Sequence, residues 1–366
     1  MKKKRIGILF GGKSAEHEIS LLSAKNIIEA LDPERYELLL IGIDKQGKWH
    51  LNNASEYLLN AQNPKLIKLN HSKRELSFVP GRTQGQLIET DKSEVLENLD
   101  AVFPVLHGPW GEDGTIQGLL RLANIPFVGC SILSSAVCMD KDFSKRLFEQ
   151  AGIPICKHVV LKSTDKDKMG FEQLVEKLGL PMFLKPANMG SSVGISKVNS
   201  KESFEKGLEE AFLYDHKVVI EESIVGRELE VAVLGNNEVS ASVVGEILPQ
   251  KDFYSYTAKY VDSDGALLKI PADLDKVTAD KIRDLAIKSF KTMECQGLAR
   301  CDFFLTKEGD LFLNEINTLP GFTKISMYPK LWEAAGLPYT QLINKLLELA
   351  IERHEHDGQL KTIVDS

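Results

Sequence analysis

Three separated stretches of the chain carry residues whose types and spacing can do chemistry. The first runs from Lys185-Pro186 to Ile195 through Ala187-Asn188-Met189-Gly190-Ser191-Ser192-Val193-Gly194, a Gly/Ser stretch between apolar runs. A loop of this length can fold over phosphate oxygens, donating backbone N–H and hydroxyl groups while Lys185 adds a point charge. A surface hairpin is the alternative, but lysine is seldom buried without a partner, so one that closes the apolar run 181–184 points to an anionic ligand. Lys141, taken alone, reads as a solvated residue at a helix start.

The second stretch is a hairpin with strands at 298–305 and 311–317. A loop at 307–310 would pair residue 305 with 312, 302 with 315 and 300 with 317, and opposed residues point to the same side of a sheet. Arg300, Asp302, Glu315 and Asn317 then share one face, and Ala299, Cys301, Phe303, Leu305, Phe312 and Ile316 share a core face. Carboxylates opposed at about 5 Å repel unless a cation lies between them. Oxygen donors of this kind suit Mg²⁺, although a solvated Arg–Asp–Glu ladder would satisfy the same spacing. Beyond the hairpin, the turn ending at Gly321 offers N–H groups to an oxyanion, and Ser326 reads as a helix N-cap.

The third stretch, Gly7 to Ser14, satisfies the P-loop pattern G-x-x-x-x-G-K-S and would make Lys13 a phosphate ligand. Three of its four spacer residues are Ile8, Leu9 and Phe10, which belong inside a strand. What remains is a Gly11-Gly12 turn that brings a ligand close to a helix N-terminus. Glu16 and Glu18 in the first helical turn complement the macrodipole. A carboxylate there also sits where open α/β sheets bind ligands, and Glu16 could hold an ammonium group.

The elements that must position these groups follow from periodicity. Residues 1–138 alternate apolar runs with amphipathic stretches (strands at 6–10, 36–43, 101–106 and 126–128, helices at 15–31 and 115–122), the pattern of an open parallel α/β sheet. Between 44 and 99 the pattern lapses into hairpins with turn signals at Gln46-Gly47 and Pro80-Gly81, where no residue set suggests chemistry. A new series spans 139–223, with helices at 142–151, 171–178 and 201–212 and strands at 155–160, 182–185 and 217–221. Residues 224–355 hold strands at 228–234 and 239–246, an aromatic loop at 249–264, a helix at 277–293, the acidic hairpin and a last helix at 339–353. A polar, frayed tail is expected at 356–366.

Composition narrows the classes. With 366 residues, 43% hydrophobic and 27% charged, the chain is a multidomain globular protein rather than a fibre or a disordered polymer. Its 45 Lys and Arg against 52 Asp and Glu give a net charge of −7, which argues against nucleic acid as a partner. Five cysteines without a Cys-x-x-Cys fit buried free thiols in a reducing compartment. The basic start followed by Ile6–Phe10 imitates a signal peptide but is too short and reads as a buried strand. No window is long enough to span a membrane, and a cytoplasmic location is expected.

With Lys141, Lys185, the Ser/Gly loop and the Asp302/Glu315/Asn317 set in one chain, the sequence resembles the ATP-grasp superfamily and, more narrowly, the D-alanine–D-alanine ligases. The match is collinear over nearly the full length: GGKSAEHEIS at 11–20, HGPWGEDGTIQG at 107–118, MDK at 139–141, LKPANMGSSVGISKV at 184–198, YTAKY at 256–260, ARCDFF at 299–304 and NEINTLPGFT at 314–323. It implies an α/β fold, α+β in the C-terminal part, with three domains and ATP held between the second and third.

The resemblance further implies roles. Lys141 and Lys185 bind phosphates with Ser191 and Ser192, residues from Glu221 and Glu222 to Ile224 take adenine, and Glu228 takes ribose. Asp302, Glu315 and Asn317, with Asn314 beside them, hold two Mg²⁺, for which Mn²⁺ may substitute. Glu16 receives the ammonium of a first D-alanine, supported by Ser191 and Tyr260 with His107 nearby. Arg300 and the N–H of Gly321 stabilise an oxyanion, Ser326 and Met327 contact the second substrate, and Lys259 reaches the γ-phosphate from a lid at 253–260. The implied reaction joins two D-alanines through an acyl phosphate, for peptidoglycan precursors, in a homodimer. Ligation to D-lactate or D-serine, a phosphotransferase working through Lys13 and a silent amino-acid-binding protein are the alternatives.

Overall fold

The computed structural model describes all residues except Met1, Ala54, Lys65, 166–168, 250–265 and 362–366. The run Lys4–Gly11 is the central strand of a four-stranded sheet, parallel to Tyr36–Ile43 on one side and Ala101–Val105 on the other, with Trp49–Asn52 antiparallel at the edge. Ile6, Ile8, Leu9 and Phe10 are fully buried, as a strand covered on both faces requires. That burial removes the P-loop: Gly7 to Phe10 are paired on both sides, and Lys13 is exposed. The run 126–128 contributes a single bridge, Val102 to Phe127, rather than a strand. The stretch 44–99 forms two small antiparallel sheets of two and three strands.

Two antiparallel sheets follow. In the first, His158–Lys162, Lys217–Glu222, Met182–Pro186 and Ser196–Val198 lie in that order. Its two-residue alternation buries Met182, Leu184, Val218 and Ile220 against the helices Phe171–Leu178 and Lys201–Ala211. Lys185 and Glu221 consequently point away from that core. In the second, Ala266–Lys269, Val239–Pro249, Arg227–Gly235, Gly297–Leu305 and Leu311–Asn317 lie side by side. Leu229, Val231, Ala299, Cys301, Phe303 and Leu313 pack on the helix Lys276–Thr292.

The acidic hairpin departs from the expected register at one point. Arg300 pairs with Asn317 and Asp302 with Glu315, but a bulge then pairs Phe303 with Leu313 and Leu305 with Leu311. Residue 305 therefore does not oppose 312, and Phe312 is half-buried while Leu311 and Leu313 enter the core. The extra residue is Asn314, which the bulge leaves on the same side as Glu315.

A helix at Ile132–Met139, absent from the sequence reading, leads into Lys141–Gln150. The last helix, Tyr339–Asp357, runs past the expected end at 353 and into the expected tail. It packs Leu342, Ile343, Leu346 and Leu347 into the same core as Ile6, Phe10, Leu21 and Ile27 of the parallel sheet. Arg353 adds hydrogen bonds to the carbonyls of Phe127 and Gly129, which fixes the parallel sheet against the five-stranded one. All five cysteines are buried free thiols.

Candidate active site

An open cleft lies over the outer face of the five-stranded sheet and is lined by Glu228, Glu230, Arg300, Asp302, Asn314, Glu315, Gly321, Ser326 and Met327, among others. Strand register builds its acidic floor. Glu230 opposes Asp302, and Asp302 opposes Glu315, so three carboxylates stand in a row on neighbouring strands. Such a row is repulsive. Arg300 offsets part of it, donating from Nε and Nη2 to Asp302 at 2.7 Å each and lying 2.9 Å from Glu230. The Asn317 amide donates to Asp302 at 2.9 Å. The side chains of Asp302, Glu315 and Asn317 offer oxygens on one face, with cationic groups around them, and this set fits Mg²⁺.

The opposite wall comes from the four-stranded sheet. Lys141 is not a solvated helix-start residue. It is buried, its ammonium donates to the Met189 carbonyl at 2.6 Å, and it lies 4.0 Å from Glu315. Burial lowers its pKa, with Glu315 opposing that shift. Asp140 caps the helix by accepting from the amides of Asp142 and Phe143, and Lys217 holds Asp140 at 2.6 Å. Lys185 reaches Asn314 at 3.3 Å and Glu221 at 2.6 Å. Although desolvation disfavours its charge, Glu221 keeps its pKa raised.

Glu221 itself is buried between Lys185 and Lys145, the latter at 2.9 Å. Desolvation would raise its pKa, but the two ammonium groups hold it far below the usual carboxylate range. Its side chain is thus committed to lysines. Glu222 is likewise occupied, accepting from the Lys157 amide at 2.6 Å, while Ile224 is half-buried nearby in sequence.

The loop 188–194 closes the space between the two walls. Ser191 and Ser192 adopt left-handed φ values of 50° and 62°, a conformation sparsely populated for serine that is typical of ligand clamps. The Ser191 hydroxyl donates to Glu16, which is buried at the start of the helix His17–Ala30 and makes no cap hydrogen bond. A Cβ on Gly108 would come within 2.8 Å of the Glu16 carboxylate, so the 107–112 turn needs glycine there. His107 is buried, with its ring nitrogens 3.0 Å from the Leu319 carbonyl and 3.4 Å from the Ser23 hydroxyl. Burial lowers its pKa, with the Glu16 charge and the Leu319 carbonyl opposing that shift.

Gly321 and Ser326 meet: a Cβ on the former would lie 2.8 Å from the latter's hydroxyl. Ser326 occupies the N-cap position of Met327–Ala334, yet its hydroxyl makes no cap bond and instead accepts from the Thr323 amide at 2.9 Å. The turn is tied to the parallel sheet's helix, since the Phe322 amide donates to Ser23 and its carbonyl accepts from Asn26, both at 3.2 Å. Lys259, Tyr260 and the expected lid lie outside the described residues.

Three site groups escaped the sequence reading. Glu230 was signalled by its two-residue spacing from Glu228. Lys145 lies on the buried face of the helix Lys141–Gln150, where no local signal marks a lysine's partner. Glu112 sits inside the 107–118 block but carried no assigned role. It accepts from the Gly108 amide at 2.7 Å, and desolvation together with the Glu16 charge pushes its pKa up to about 8.

A parallel α/β sheet beside two antiparallel sheets, with lysines on one and acids on the other facing a common cleft, is the ATP-grasp architecture. The comparisons with known proteins narrow this class. The family profile described as D-ala D-ala ligase N-terminus matches residues 5–130, and the one described as D-ala D-ala ligase C-terminus matches 147–348. The D-alanine–D-alanine ligase of Shouchella clausii is 58% identical over 364 residues, covering 100% of this chain and 99% of that one. The solved D-alanine–D-alanine ligase of Coxiella burnetii superposes with a TM-score of 0.84 at 38% identity, over 98% of this chain and 97% of that one. A D-Ala:D-Ser ligase of Enterococcus faecalis also gives 0.84, at 36% identity over 95% of this chain and 100% of that one. The chain belongs to the D-alanine–D-alanine ligase family.

Proposed function

We propose that this chain is an ATP-dependent ligase that joins two D-alanines into D-alanyl-D-alanine for peptidoglycan precursors. The observation that carries the reading is the Ser191–Glu16 contact. It brings a buried carboxylate suited to an ammonium group against the loop suited to phosphates, so an amino acid held by Glu16 would have its own carboxylate at the cleft.

A carboxylate is a poor electrophile, and phosphorylation converts its oxygen into a leaving group. In our reading, Lys141, Lys185 and the amides of 188–194 hold the triphosphate, with Glu228 on the ribose and the 221–224 segment on the adenine. The carboxylate oxygen of the first D-alanine attacks the γ-phosphorus and ADP departs. The amine of a second D-alanine, its carboxylate on Ser326 beside Met327, then attacks the acyl carbon and phosphate leaves. Arg300 and the Gly321 N–H face the oxyanion that develops. Asp302, Glu315 and Asn317 would hold Mg²⁺, which neutralises phosphate charge when bound; two ions and replacement by Mn²⁺ are part of the proposal. Tyr260 and Lys259 would complete the site from the lid, and the same reading takes the enzyme to be a cytoplasmic homodimer. No helix among the described residues is long and apolar enough to cross a membrane.

The test is incubation with ATP, Mg²⁺ and D-alanine, alone or paired with D-serine or D-lactate, followed by product mass. D-alanyl-D-alanine as the main product supports the reading. A mixed product would move the chain to D-serine or D-lactate ligation, and no ADP with any substrate would refute it.

A further inference from the structure

The hairpin region 44–99, which the ligase reading leaves unused, contains a cluster with metal-binding chemistry. Asp44 directly follows the strand Tyr36–Ile43, His50 lies in Trp49–Asn52, and His71 comes from the loop that folds over them. One donor atom from each lies within 4.8 Å of the other two. Asp44 and His50 are buried, at 4% and 5% exposure, while His71 faces solvent.

Each donor is oriented by its own partner. Asp44 Oδ1 accepts from the amides of Gln46 and Lys48, both at 2.9 Å, which turns Oδ2 towards the histidines. His50 Nδ1 is 2.8 Å from the Ser72 carbonyl. A carbonyl only accepts, so Nδ1 is committed to donating to Ser72, and Nε2, 3.1 Å from Asp44 Oδ2, is the nitrogen placed to exchange its proton for an ion shared with that carboxylate. A backbone carbonyl on the far nitrogen is how metal-bound histidines are commonly fixed. His71 Nδ1 stands 3.7 Å from the same Oδ2, and its ring meets His50 edge-on at 5.3 Å. Donors around tetrahedral zinc, with arms of about 2.0–2.1 Å, lie roughly 3.3–3.4 Å apart, and the 3.1 and 3.7 Å separations bracket that value.

We propose that Asp44, His50 and His71 form a second metal site, separate from the cleft, that takes a Zn²⁺-type divalent ion with water at the open position. Two imidazoles and one carboxylate select this class over Mg²⁺. The ion would staple the loop carrying His71 onto the edge of the parallel sheet, a structural role independent of the ligase chemistry.

Equilibrium dialysis of the tag-free full chain against Zn²⁺, with excess Mg²⁺ to occupy the cleft, tests this. One Zn²⁺ should bind, His71→Gln should weaken it by about tenfold or more, and Zn²⁺ should raise the melting temperature of the wild type but not of that variant. His71 is exposed, so its replacement should leave the fold intact; Co²⁺ substitution provides a second readout, with His50→Gln removing the visible absorption of a low-coordinate site. No bound Zn²⁺, or binding unchanged in both variants, would overturn the proposal.

Discussion

Two charged clusters lie close together in this molecule and do opposite things. Around Glu221, one carboxylate is enclosed by two lysines in a buried, mutually satisfied set. Along Glu230, Asp302 and Glu315, three carboxylates share an open cleft, with Arg300 between the first two and Lys141 4.0 Å from the third. The closed cluster is built to hold a wall in place. The open one keeps net negative charge beside the lysines and is suited to Mg²⁺-bound phosphates. Charge balance, more than residue type, separates the structural site from the chemical one.

Substitutions can break this comparison. Lys185→Ala should lower D-alanine-dependent phosphate release by roughly a thousandfold or more and, because Lys185 belongs to both clusters, should also cost stability by uncovering Glu221. Glu315→Gln should lower turnover by about a hundred- to a thousandfold while thermal unfolding stays within about 1 kcal/mol of wild type. Glu221→Gln should do the reverse in kind: it leaves buried ammonium groups under-compensated and should cost about 3–5 kcal/mol in chemical denaturation. Equal loss of stability in the Glu315 and Glu221 variants would erase the distinction.

Glu112 sharpens it through pH. Its folded pKa, pushed up to about 8, exceeds its unfolded value near 4.5. The folded state therefore binds the extra proton between these values, and stability declines as pH rises from about 5 to 8. Glu112→Gln should remove this decline, read as the difference between the two unfolding curves across that range. The smallest effect is expected from Lys13→Ala, which should keep most of the ligase activity because Lys13 is exposed and its supposed loop is strand.

The pattern of what the sequence revealed has a physical basis. The buried central strand, the Gly/Ser loop at 188–194 and the Asp302–Glu315 pairing were legible because apolar runs, Gly/Ser content and two-residue alternation are local signals. The bulge at Asn314 was not, since nothing in Leu-Phe-Leu-Asn-Glu marks where an extra residue enters, and it exchanged Phe312 for Leu311 and Leu313 in the core. Lys141 looked solvated because its partners, Met189 and Glu315, are 48 and 174 positions away. The continuation of the last helix to Asp357 was missed because its final turns are polar and carry no apolar period.

The central claim is that lysines and acids converge so that ATP activates a carboxylate bound at Glu16. It is tested most directly with D-alanine labelled with ¹⁸O in its carboxylate, by mass analysis of the phosphate released. Transfer of one ¹⁸O from each activated D-alanine to phosphate is the predicted result. Phosphate free of label, formed together with the dipeptide, would contradict it.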